Sequence, residues 1–130
     1  MRSLVRFRTG DGEYAVAVEH TREVRTANGL VPLPAPAPGV AGLLSRDDEP
    51  LTVVSTLGAG RDHVLVLDAG GGPFGLLVEE VAGVVNVDDG DMGPAPSGQH
   101  GGVVTGVVNL AGTMVLVVDA AAVGAPVERA

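Results

Sequence analysis

The chain has 130 residues, 45% of them apolar but only 2% aromatic, and no Cys or Lys. This suits a single domain with an aliphatic core, and it removes disulfides, thiolate metal sites, thiol nucleophiles, a Walker lysine and Schiff-base chemistry. The net charge of −8 resides in residues 62–130, because residues 1–61 balance seven Arg against seven acids; an acidic half with no basic stripe and few aromatics argues against nucleic acid and anionic membrane as partners.

The start, Met1 to Arg8, lacks the apolar run of a secretory signal, so the cytoplasm is the expected compartment. Val supplies 24 residues and favours strands. Leu4 to Arg8 alternates as a strand, Gly10-Asp11-Gly12 turns, and Glu13 to Val18 returns as its hairpin partner. Glu19 to Arg25 is polar and free of Gly and Pro, which predicts a short helix. Pro32 to Pro38 reads as a connection. Further strands are expected at Val40–Ser45, Leu51–Thr56, Val64–Ala69, Phe74–Val78, Val81–Val87, Val103–Leu110 and Met114–Asp119. Gly70-Gly71-Gly72 and Asp88-Asp89-Gly90-Asp91 read as turns. Val103 to Val123 is long enough to span a membrane, but Asn109, Gly112 and Asp119 interrupt it. Two strands joined by a turn at Asn109–Gly112 fit it better, and no direct membrane insertion is expected. Ala120 to Val123 starts a terminal helix, and Pro126 is expected to end it.

The chain repeats itself once. At an offset of 60, Tyr14 matches Phe74, Val18-Glu19 matches Val78-Glu79, Val24 matches Val84, and Pro34-Ala35-Pro36 matches Pro94-Ala95-Pro96. At an offset of 64, Val40 to Ser45 matches Val104 to Asn109, and Val53-Val54-Ser55 matches Val117-Val118-Asp119. Two related β units of about 60 residues bury too little alone and are expected to pack on each other. The matching apolar positions Val18, Leu43, Val54, Leu77, Val84, Val107 and Val117 are expected in the core.

The chemistry-bearing residues are sparse. His20 and Glu23 would share a face of the predicted helix, but two ligands do not make a metal site. His63 and His100 have no nucleophile at useful spacing. The acidic turn at Asp88–Asp91 lacks the alternating spacing of a calcium loop, and Gly58-Ala59-Gly60 lacks the rest of a dinucleotide fingerprint. No catalytic, cofactor or metal site is expected, and a binding module is favoured over a catalyst.

The repeat units resemble the CheW family of bacterial chemotaxis coupling proteins. The resemblance is carried by Val64 to Val84, which runs strand, Gly turn, then Gly75-Leu76-Leu77-Val78-Glu79-Glu80-Val81, with Pro94-Ala95-Pro96 downstream. Val104 to Val108 and Leu116 to Asp119 are similar to the family's closing hairpin. Phe7 to Val18, Glu23-Val24, Pro32 to Pro38 and Gly42-Leu43-Leu44 match in the first half. The resemblance implies a mainly β fold of two small five-stranded β-barrel subdomains packed together, with short helices at most. The expected domain spans 1–130, with one subdomain over about 10–60 and another over about 62–122, terminal strands being open to exchange.

The resemblance also implies a non-catalytic adaptor joining the cytoplasmic tip of chemoreceptors to a CheA-type histidine kinase. Its coupling residues would be Thr21, Glu23, Val24, Gly42, Arg46 and Asp47. The family's Asn-Leu-Arg-Gly turn falls on Ser45, Arg46, Asp47 and Asp48, so the usual Arg position is an acid, with Arg46 one residue earlier as its substitute. A divergent scaffold of another two-component system, and a small β-barrel enzyme or ligand-binding protein, are the rival readings. The first would present shallow apolar interfaces, the second a pocket of converging ionisable groups.

Overall fold

The computed structural model describes residues 1–10, 12–46, 48–58, 60–97 and 102–129. Strands dominate: β1 (Arg2–Thr9), β2 (Gly12–Ala17), β3 (Thr21–Thr26), β4 (Val40–Arg46), β5 (Glu49–Val54), β6 (His63–Leu67), β7 (Phe74–Val78), β8 (Glu80–Val87), β9 (Met92–Pro94), β10 (Val104–Leu110) and β11 (Thr113–Val118). Two short helices follow, α1 (Ala120–Val123) and α2 (Ala125–Arg129). One sheet has the order β8-β1-β2-β11-β10-β9 and the other β3-β6-β7-β5-β4.

The repeat is visible in the ladders. In β3–β6, Val24 faces Leu65; in β8–β1, Val84 faces Val5. In the parallel pair β5–β7, Val53 faces Gly75; in β11–β2, Val117 faces Ala15. The register slips between Thr21 and Glu23 and again opposite Val81 and Gly83, and it slips between Val40 and Gly42 and again between Val104 and Gly106. Each sheet therefore takes a hairpin from one half of the chain and its remaining strands from the other, three in the five-stranded sheet and four in the six-stranded one. The β6–β7 hairpin sits between β3 and β5, and the β1–β2 hairpin sits between β8 and β11.

Alternation along the hairpins builds three cores. On β6, Val64 and Val66 point into the five-stranded sheet with Leu44, Leu51, Val53 and Leu77, whereas Leu65 and Leu67 point to the other sheet. On β1, Leu4 packs with Ala15, Val108, Val115 and Val117 inside the six-stranded sheet, whereas Val5 and Phe7 face the shared core. That shared core also takes in Val16, Val54, Phe74, Leu76, Val78 and Val118, and α1 closes it with Ala120 and Val123. Gly75 lacks room for a side chain, since a Cβ there would stand 2.5 Å from Val64 Cγ1.

Several expectations need correction. The two five-stranded barrels are instead one six-stranded and one five-stranded sheet, both open. The free edge of β4 is occupied at Leu43 by a single bridge from Val31, and that of β10 by β9, so no ladder closes either sheet among the described residues. The helix predicted over Glu19–Arg25 is a 3-10 turn at Val18–His20 followed by β3, because pairing with β6 overrides local preference. His20 and Glu23 consequently share no helix face. Val18 lies in that turn and is exposed, and Val84 lies on the edge strand β8 at 60% exposure. Leu43 and Val107 are half-buried, while Val54, Leu77 and Val117 are buried. Pro126 does not end a helix; it occupies the first turn of α2, where its missing N–H costs nothing.

The Asp119 side chain caps α1 by accepting from the Ala121 N–H at 3.3 Å, and Thr56 Oγ1 donates to the Val123 carbonyl at 2.8 Å. No helix among the described residues is long and apolar enough to cross a membrane, and the Val103–Val123 stretch contains β10, β11 and α1.

The division between core and surface is testable. Leu65→Ala should lower the free energy of unfolding by about 2–5 kcal/mol in urea titration, as a cavity in the shared core. Val84→Ala, at an exposed edge, should stay within about 0.5 kcal/mol of the parent.

Candidate functional site

The two edge strands related by the repeat, β3 and β8, flank an open groove of about 190 Å³. Val5 and Leu65, which face Val84 and Val24 in the ladders, lie at its floor. One wall is Thr21, Arg22, Glu23 and Val24; the other is Val81, Gly83 and Val84. Val24 and Val84, equivalent in the repeat, are 47% and 60% exposed. Two β-branched side chains so exposed beside one groove form an apolar patch that water does not favour.

The walls differ in charge. Glu23 Oε1 accepts from Arg25 Nη1 at 3.2 Å and lies 3.5 Å from Arg46 Nε. Arg46 ends β4, the far edge of the five-stranded sheet, so the sheet curls until its two outer strands meet through this ion pair. The Arg46 contact is poorly aimed, and its Nε has no hydrogen-bond partner among the described residues. These side chains are 24–38% exposed, so the cluster contributes little to stability and more to orienting the guanidinium groups.

The opposite wall is pinned from behind. Arg8 on β1 donates to Glu79 at 2.6 Å and to Glu80 at 3.2 Å, and these two acids lead into β8. The hydrogen bond to Glu80, then the charge of Glu79, holds the Arg8 guanidinium above its ordinary value, so it stays charged at every working pH. His63 Nδ1 lies 2.9 Å from the Glu79 carbonyl oxygen and faces backbone rather than a second titratable group. Among the described residues, no group of three or more His, Asp or Glu could hold a metal ion.

Of the six residues expected at a partner face, Thr21, Glu23 and Val24 line the groove, and Arg46 joins them through Glu23. Gly42 is buried beneath the chain's own connection, where a Cβ would collide with the Val31 carbonyl. It permits the Val31–Leu43 bridge and presents nothing to solvent. Asp47 lies outside the described residues. Val5, Leu65, Val81, Val84 and Arg22 were not anticipated here. The signal was the offset-60 match of Val24 to Val84, read as a mark of the core when it marked a shared surface.

A CheW-like domain is the family whose pattern matches this chain, over residues 3–125. The chain belongs to the CheW-like domain family. Among curated CheW proteins it is similar to the chemotaxis protein CheW of Rhizobium meliloti (strain 1021), 29% identical over 140 residues that take in 98% of this chain and 90% of that protein. Its fold is similar to the crystal structure of the scaffolding protein CheW from Thermoanaerobacter tengcongensis, with a TM-score of 0.79 at 17% identity, over 91% of this chain and 88% of that one. The mainly β, two-sheet architecture is thus the CheW-like one.

Two substitutions separate packing from surface. Gly42→Ala should destabilise the chain by about 1–3 kcal/mol in chemical denaturation, because Val31 must move away. Arg46→Ala should change stability by less than about 1 kcal/mol, as a part-exposed ion pair.

Proposed function

We propose that this protein is a non-catalytic adaptor of a bacterial chemosensory complex. It works in the cytoplasm and holds the cytoplasmic tips of chemoreceptors to a CheA-type histidine kinase. Membership of the CheW-like family supports this reading, and so do the words chemotaxis and scaffolding in the names of the two similar proteins. The observation that carries it is the groove between β3 and β8: shallow, apolar at its floor, and charged along one rim. An adaptor needs such a surface, where desolvated aliphatics supply affinity and rim charges supply selection.

In this reading Thr21, Glu23, Val24, Arg46 and Asp47 form the coupling face, and Gly42 supports it by seating Val31. Arg46 stands in for the arginine that the family carries one position later, with Glu23 orienting its guanidinium. A second reading keeps the scaffold and changes the partner, making it an adaptor of another two-component system. It is favoured by the acid at position 47, which inverts a charge and cannot serve the same partner carboxylate.

Binding of purified CheA-type kinase and chemoreceptor cytoplasmic fragments, followed by calorimetry, tests the proposal. Wild type should bind both. Val84→Asp should abolish receptor binding by placing a charge in an apolar groove, and Arg46→Ala or Glu23→Ala should weaken coupling by about 1–2 kcal/mol. Wild type that binds neither component moves the assignment to the second reading.

A further inference from the structure

The repeat makes the groove nearly two-fold symmetric in its backbone, yet its chemistry is one-sided. Thr21, Arg22, Glu23 and Val24 on one wall correspond at offset 60 to Val81, Ala82, Gly83 and Val84 of β8, of which Val81, Gly83 and Val84 line the other wall. Every charged group lining the groove therefore belongs to β3. A symmetric apolar trough would accept a partner in either direction; a charged wall on one side fixes which direction is used.

Among the described residues, Arg22 is the cation on that wall with no carboxylate to answer it. Arg6 is paired with Glu13, Arg8 with Glu79 and Glu80, and Arg25 and Arg46 both with Glu23. Among the described residues, Arg22 instead donates from Nη1 to two backbone carbonyls, those of Glu19 at 2.9 Å and Thr21 at 3.1 Å. Those bonds fix the guanidinium without neutralising it, and they leave Nη2 and Nε for another acceptor. Arg22 is also the extra residue of the slip between Thr21 and Glu23 in the β3–β6 ladder. Such a bulge turns its side chain away from the ladder, a device common beside binding sites. A chain with net charge −8 thus holds an uncompensated, pre-oriented guanidinium at the mouth of its apolar groove.

We propose that Arg22 is the polarity-determining residue of the groove, receiving an Asp or Glu carboxylate from a docked segment whose apolar side chains lie along Val24, Leu65, Val81 and Val84. This rests on the reading of the groove as the chemoreceptor dock, and the occupant it commits to is an acidic, apolar segment of a chemoreceptor tip. The carboxylate would accept from the free edge of the guanidinium, a geometry Arg supports better than Lys.

The test uses the intact protein and purified chemoreceptor cytoplasmic fragments. Arg22→Glu should weaken binding by at least about tenfold, Arg22→Lys by less, and salt should weaken wild type more steeply than Arg22→Ala. Acid-to-Arg replacements scanned along the receptor tip should include one that restores binding to Arg22→Glu, which a purely structural role for Arg22 would not allow. If Arg22→Glu binds within about twofold of wild type while Val84→Asp fails, the groove stands as a dock and the carboxylate assignment falls. If neither variant weakens binding, or wild type does not bind, the groove is not a chemoreceptor dock and the Arg22 assignment falls with it. Self-association of the chain that Arg22→Glu abolishes, without an effect on receptor fragments, would give the groove to a second copy and overturn the proposal.

Discussion

The structure depends on two hairpins that must be buried on both faces. β6 and β7 are apolar at nearly every position, and the β1–β2 hairpin puts Leu4 and Ala15 into one core and Val5, Phe7 and Val16 into another. A hairpin of this kind cannot lie at the outside of a sheet without exposing one face to water. Each is therefore flanked on both sides by strands from the other half of the chain, with Leu65 and Leu67 meeting Val5 and Phe7 across the shared core. Neither half can complete its sheet alone. The exchange converts two weak units into one cooperative object, and the shared core is what a small, aromatic-poor chain has in place of large side chains.

The same exchange creates the surface. Inserting the hairpins pushes β3 and β8 to the sheet edges and brings those edges to either side of one groove. A symmetric backbone then becomes an asymmetric site by local sequence alone: a Glu with two Arg neighbours on one edge, Gly and Val on the other. Exposed edges invite strand addition and aggregation. Here bulges interrupt both of them, and charge covers β3. On β8, Arg8 ties down the start of the strand while the middle stays apolar and open.

Much of the fold was legible because its signals are local. Alternation and turn residues located most of the strands, and the repeat foretold the matching ladders. What failed was non-local. Thr21 to Thr26 carries the β-branched Thr21, Val24 and Thr26 among charged residues, and its polar composition resembled an exposed helix until β6 supplied the partner. β9 is three residues long and contains Gly and Pro, so nothing but its neighbour β10 makes it a strand. Val18 and Val84 matched buried-looking positions because a repeat reports equivalence without saying which side faces water. At the groove, Glu23, Val24 and Arg46 are residues that the resemblance singles out, but their grouping comes from the curl of the sheet. Val5 and Leu65 were recognised as strand residues and nothing more, because a groove floor has the composition of a core.

The hairpin exchange also sets an order of events during synthesis. β3, β4 and β5 leave the ribosome before the β6–β7 hairpin that must separate β3 from β5, and at ordinary elongation rates the interval is on the order of seconds. Until then the free sides of β3 and β5, with Val24 and Val53 on them, have no native neighbour. The β1–β2 hairpin waits longer still, until β11 arrives close to the end of the chain. A fold whose two halves complete each other leaves the nascent N-terminal half without its native sheet neighbours until the strands of the second half have been made.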